Sequence, residues 1–103
     1  MIPKYFYIFG EKIKVSFLKA IKNKEGDAYG VWLETENKIK LAKTVFKKPL
    51  EQDQMEQTYF HELTHVILDS IGEPNLSENE IFVDKFSKAL YQVLKSSNYG
   101  TRK

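Results

Sequence analysis

His61-Glu62-Leu63-Thr64-His65 sets the chain's only two histidines four residues apart, with a glutamate beside the first. On a helix that spacing puts both imidazoles on one face, one turn apart, where both can reach a single ion. Glu62 lies about 100° further round the helix, out of phase for ligation but in reach of a water held by the ion. Such a water has its pKa lowered to about 7, and a neighbouring carboxylate can take its proton. These are the parts of metal-assisted hydrolysis. The ion they suit is zinc, one per chain, with three protein ligands and a water in the fourth position.

The third ligand must come from outside the motif. Downstream, Ser77-Glu78-Asn79-Glu80-Ile81-Phe82-Val83-Asp84 offers two acids one turn apart. Glu80 is a candidate ligand, and Asp84 could accept a hydrogen bond from a ligating imidazole and fix its tautomer. The same residues have a second reading. Ser77-x-x-Glu80 is also a capping box, in which Glu80 only satisfies a backbone N–H at a helix start. On the residues alone the capping reading is the stronger. Asp69, one turn after His65, offers another carboxylate to support a ligand, but reads more readily as an exposed helix residue.

His61-Glu62-x-x-His65 followed by Asn79-Glu80-x-x-x-Asp84 resembles the gluzincins, zinc metallopeptidases whose third ligand is a glutamate on a following helix. The resemblance implies Glu80 as the third ligand, Asp84 as the partner of His61 and Glu62 as the general base. The small size, with strands ahead of two helices, is similar to the minimal gluzincin-like proteins of archaea and mobile elements, and implies a zincin-like minimal catalytic domain. The motifs span residues 58–84; elsewhere the likeness is architectural. Larger gluzincins add a C-terminal subdomain with a His or Tyr that steadies the oxyanion, and this chain has neither a further His nor room for that subdomain. Tyr91, on the helix face of Glu80 and Asp84, is the candidate substitute, against plain amphipathic packing. By similarity to zincins, an edge strand would hold an extended substrate. Tyr29, Gly30, Val31, Trp32 and Leu33 are the candidate strand, because Gly30 permits close backbone approach. Trp32 alone reads equally as core.

The elements that must position these residues follow from hydrophobic period. Ile13, Val15 and Phe17 alternate with Lys14 and Ser16, so residues 13–18 form a half-buried strand, paired with residues 5–9 through Gly10-Glu11-Lys12. Residues 24–27 break the pattern. A second hairpin joins residues 29–34 to 38–46 around Glu36-Asn37. A helix runs from about Leu50, just after Pro49, to Ile71, with Gly72 as its stop and Pro74 beyond. Its apolar stripe is Tyr59, Phe60, Leu63, Val66, Ile67 and Ile71, which leaves His61 and His65 on the opposite side. Ser77 caps the last helix, whose stripe of Phe82, Phe86, Ala89, Leu90 and Val93 reaches about Lys95. The expected class is α+β: a small antiparallel or mixed sheet of three to four strands, then two helices bearing the metal site. At 103 residues the chain is one domain, β-rich over 1–49 and helical over 50–95, with a loose polar tail over 96–103.

Composition bounds the function. Cysteine is absent, which excludes disulfides and thiolate metal sites and suits the cytoplasm. No apolar run approaches a membrane span, and the short patch at residues 5–9 has no cleavage signal behind it. Net charge is +2, yet residues 1–50 carry +6 and residues 51–103 carry −4. All nine acids of the second half fall between Glu51 and Asp84, a field that favours a cation. The lysines of the first half are spread along strands with no basic helix or glycine-rich loop, so no nucleic-acid partner is expected. The expected partner is a peptide or protein substrate. Three readings result: an active zinc peptidase, a latent or regulatory zinc protein whose intact site is blocked or lacks substrate contacts, and a metal-free binding module.

Overall fold

A computed structural model of the chain describes residues 2–100. Tyr5–Ile8 (β1) and Glu11–Leu18 (β2) form the first hairpin. Two short strands, Ile21–Asn23 (β3) and Gly26–Ala28 (β4), make a small hairpin where the sequence pattern breaks. Gly30–Leu33 (β5) and Lys38–Ala42 (β6) then pair antiparallel across a 3-10 turn at Glu34–Glu36. The strand expected to run on to residue 46 instead stops at Ala42. Thr44–Val45 (β7) and Lys48–Pro49 (β8) turn back through Phe46 and Lys47, both at positive φ, while the Phe46 N–H donates to Asp27.

The main sheet has the order β1-β2-β6-β5 and is mixed, because β2 and β6 run parallel, with Val15 beside Ile39 and Phe17 beside Leu41. Alternation fixes the buried face: Ile13, Val15, Ile39 and Leu41 point into the core, with Tyr59, Phe60 and Val66 of the following helix against them. Phe17, expected in that set, is 40% exposed at the end of the sheet.

The first long helix, α1, spans Gln52–Ser70. Its start is a capping box between Glu51 and Gln54, two residues later than the pattern suggested. Its end is a Schellman motif: the Glu73 N–H donates to the Leu68 carbonyl and the Gly72 N–H to that of Asp69, with Gly72 at φ +80°. The one-sided stripe is not what α1 shows. Glu56, Glu62, Thr64 and Leu68 are buried along with Tyr59, Phe60 and Val66, whereas Ile71 is half exposed. The cause is position, since α1 packs on β5 and β6 and also against two further helices.

Those helices are Pro74–Ser77 (α2) and Glu80–Ser96 (α3). Ser77 therefore ends a short helix and does not cap the long one; Asn79 is the cap, its Oδ1 accepting from the Phe82 N–H at 3.1 Å. The face of α3 also differs from expectation. Val83 and Ser87 are buried and Leu90 and Tyr91 pack on the core, while Phe86 and Val93 are largely exposed and Phe82 stacks on Phe86. Glu80, Val83, Asp84, Ser87 and Tyr91 recur at helical spacing on one side, so the polar residues belong to the packing face. Residues 101–103 of the tail lie outside the described residues.

Candidate metal centre

Because α1 is covered on both sides, His61 and His65 sit between it and the pair α2–α3, with side chains 27% and 15% exposed. Glu80, first residue of α3, reaches both. Its Oε1 lies 3.2 Å from His61 Nε2 and its Oε2 3.3 Å from His65 Nε2. Ligand atoms from these three residues all lie within 4.8 Å of one another. With Asn79 capping the helix, Glu80 has no capping duty, and Ser77 makes no capping box with it.

The outer nitrogens of the two imidazoles face polar groups. His65 Nδ1 is 3.0 Å from the hydroxyl of buried Ser77, which leaves Nε2 directed at Glu80. His61 Nδ1 faces Asp84 Oδ1 at 3.9 Å, beyond direct hydrogen bonding, and the other Asp84 oxygen is held by Lys88 at 3.0 Å. Burial pushes the His65 pKa down and outweighs the nearby Glu80 charge, which favours the neutral imidazole.

Three features test the fit to zinc. The donors are two imidazoles and a carboxylate, the set used in catalytic zinc sites. Donors about 2.0–2.1 Å from a tetrahedral ion stand about 3.3 Å apart, close to the 3.2 and 3.3 Å from Glu80 to the two imidazoles, which run to different carboxylate oxygens; the same distances serve a hydrogen bond when Nε2 is protonated. Lastly, His65 Nδ1 has an orienting partner in Ser77, as ligating imidazoles require, while Asp84 stands 3.9 Å from His61 Nδ1. The residues fit the ion.

Glu62 lies beside this cluster on the other flank of His61. It is 9% exposed, and among the described residues its carboxylate makes no hydrogen bond or ion pair. Burial first, and then the charge of Glu80, push its pKa up to about 7. His61, Glu62 and Asp84 line a cleft of about 580 Å³, closed on the sheet side by Tyr29 and Gly30 and along α1 by Thr58.

The remaining expected residues divide. Strand β5 is an edge of the sheet, as expected, and Tyr29 precedes it. Gly30 serves a different contact from the one expected: a Cβ there would stand 2.7 Å from Thr58 Cγ2, so its bare backbone lets α1 approach. Trp32 packs on the core and donates from Nε1 to Asp69 Oδ2 at 3.0 Å, so Asp69 is not a free surface acid. Val31 and Leu33 alternate with these on the opposite face of the sheet. Tyr91 is drawn away from the cluster. Its ring packs on Phe60, and its hydroxyl donates to Glu56 Oε1 at 2.9 Å, where Lys95 also binds.

Thr58 and Lys88 carry no signal in the sequence, and Ser77 is marked there only as a helix cap, not as the partner of His65. Pro74 was the available signal for Ser77, since proline starts short helices as readily as it follows long ones. Among the described residues, no helix is long and apolar enough to cross a membrane. No protein-family model, curated protein or solved structure matches the chain.

Proposed function

We propose that the chain is a zinc-dependent peptidase in which His61, His65 and Glu80 hold the ion and Glu62 is the general base. One observation carries this reading: donors of three residues on two helices lie within 4.8 Å of one another, beside a buried carboxylate with no hydrogen bond or ion pair among the described residues. A buried carboxylate without a partner is costly, and its retention is explained by a role in proton transfer. When bound, zinc supplies a Lewis acid and lowers the pKa of water. Glu62 removes a proton from the attacking water as its oxygen bonds to the scissile carbonyl carbon. As the C–N bond breaks, Glu62 returns that proton to the leaving amine. Ser77 orients the His65 imidazole, Asp84 adds negative charge 3.9 Å from His61 Nδ1, and the cleft beside Tyr29 and Gly30 receives the peptide along the edge strand.

A second reading, a regulatory zinc-binding protein, is supported by one feature. The Tyr91 hydroxyl is committed to Glu56, which leaves the cleft without the side-chain donor expected to steady an oxyanion. Tail residue Ser96 lines a separate cleft with Asp53 and Gln57, so the described part of the tail offers no support for a block.

Metal analysis combined with a peptide-library digest tests both. The peptidase reading expects one zinc per chain, lost in His61→Ala, and cleavage that Glu62→Gln abolishes while zinc is kept. Zinc without cleavage in the unmodified chain selects the regulatory reading, and full zinc content in His61→Ala refutes both.

A further inference from the structure

Alternation along the strands sorts the lysines as well as the core. With Ile13, Val15, Ile39 and Leu41 buried, their neighbours Lys12, Lys14, Lys38 and Lys40 project from the other face of the sheet. The register sets them side by side. Lys14 pairs with Lys38 across the parallel β2–β6 ladder, Lys40 sits beside Ser16, and Tyr5 and Tyr7 flank Lys14 and Lys12 from β1. No strand position on this face carries Asp or Glu. Among the described residues Lys38 makes one ion pair, with Glu36 at 4.0 Å, and Lys12 Nζ stands 4.4 Å above the Tyr5 ring. The helix that packs on β5 and β6 does so from the opposite face.

Like charges paired directly across strands destabilise a sheet. Here the repulsion between Lys14 and Lys38 goes without a neutralising carboxylate on the strands, and it would be relieved by a polyanion lying across them. The aromatic groups supply a second demand. Tyr5 and Tyr7 are 51% and 63% exposed, with ring centroids 5.9 Å apart. Lysines that track phosphates beside aromatic rings that stack on bases are how open sheet faces hold single strands.

We propose that the outer face of the main sheet binds single-stranded nucleic acid, with Lys12, Lys14, Lys38 and Lys40 taking phosphates and Tyr5 and Tyr7 stacking on bases. This reverses the expectation drawn from the scattered lysines, because the strand period gathers onto one face what the sequence spreads out. The proposal is independent of the metal reading, since the face lies across the sheet from His61. Anionic lipid shares the phosphate chemistry. Paired, exposed tyrosine rings favour bases, and vesicles form a separate arm of the test.

Fluorescence anisotropy of the full chain with a labelled oligothymidylate tests it, with a duplex oligonucleotide and phosphatidylserine-containing vesicles as comparisons. Saturable single-strand binding is expected, tighter than to duplex and unchanged by chelator. Its log–log salt slope should be about −3, from four phosphate contacts at about −0.7 each. Lys14→Thr with Lys38→Thr, which keeps strand propensity, should weaken binding at least tenfold and make the slope shallower by about 1.4. Tyr5→Ser with Tyr7→Ser should weaken it about fivefold or more, from loss of stacking. Lys24→Thr, in the β3–β4 hairpin, should leave it unchanged. Binding insensitive to either double substitution, binding confined to vesicles, or no saturable binding at low salt would each overturn the proposal.

Discussion

Gly30→Ala offers a sharp test of how the cleft is built, because a single methyl enters the joint between sheet and α1. The added Cβ would meet Thr58 Cγ2 at 2.7 Å, about 0.7 Å inside the 3.4 Å where ordinary contact begins. Leu41 Cδ2 and the Lys40 carbonyl, each at 3.2 Å, restrict escape on the strand side. Thr58 cannot simply rotate away, since its hydroxyl donates to the Gln54 carbonyl at 3.0 Å. Overpacking of this kind costs about 1–3 kcal/mol. The alanine recovers about 0.4–1 kcal/mol by narrowing the unfolded ensemble. A net loss of about 1–2 kcal/mol is therefore expected. Thr58→Ser removes Cγ2 and keeps the hydroxyl, so in that background Gly30→Ala should cost less than about 0.5 kcal/mol, a coupling of about 1 kcal/mol. Urea unfolding of the four proteins in a double-mutant cycle measures this. Additive costs, or a neutral Gly30→Ala in the unmodified background, would refute the close approach as the reason for the glycine.

Two other perturbations have signs set by the structure. Glu80→Gln should weaken zinc at least tenfold in a chelator competition, about 1.4 kcal/mol, while costing the metal-free protein no more than the 0.3–1 kcal/mol of a lost charge at a helix N-terminus; equal affinities would remove Glu80 from the ligand set. Glu56→Gln should cost about 1–3 kcal/mol near neutral pH, since it breaks a buried network. Burial pushes the Glu56 pKa up, but hydrogen bonds from Lys95, Gln52 and Tyr91 outweigh it and hold the carboxyl below its ordinary 4.5. The stability it contributes is thus present above 4.5 and lost as pH falls through the lower folded value. Urea unfolding should show the gap between the two proteins closing in that acid window, and a gap that persists into acid would refute the assignment.

What the sequence disclosed depended on range. The i, i+4 histidines and the alternation of Ile13, Val15, Ile39 and Leu41 are local periods, and the folded chain keeps both. Parallel pairing of β2 with β6 joins residues with no local signature, so only a mixed or antiparallel sheet could be foreseen. Ser77 and Asn79 are equally good caps; the proline at position 74 decides between them by starting a separate turn of helix. Hydrophobicity alone does not predict the buried face of α3. Phe82, Phe86 and Val93 outweigh Val83 and Ser87 in apolar content, yet the helix must turn Glu80 and Asp84 toward α1. Gly30 reads from the sequence as room for a substrate backbone, and the folded chain adds a reason of its own, the close approach of Thr58.

The parallel ladder also bears on how the molecule assembles. The β1–β2 and β5–β6 hairpins each close over a short stretch of chain, whereas α1 and α3 meet across sequence separations that reach the 39 residues between Glu56 and Lys95. The β2–β6 ladder likewise joins Lys14 to Lys38 and Leu18 to Ala42 across the intervening β3–β5 segment. Loop closure of that length must precede any gain from the pairing, and non-local pairings are the slow ones. The expected folding order therefore has locally formed hairpins docking late along one seam. Until that seam closes, the apolar side of both hairpins stays open to water.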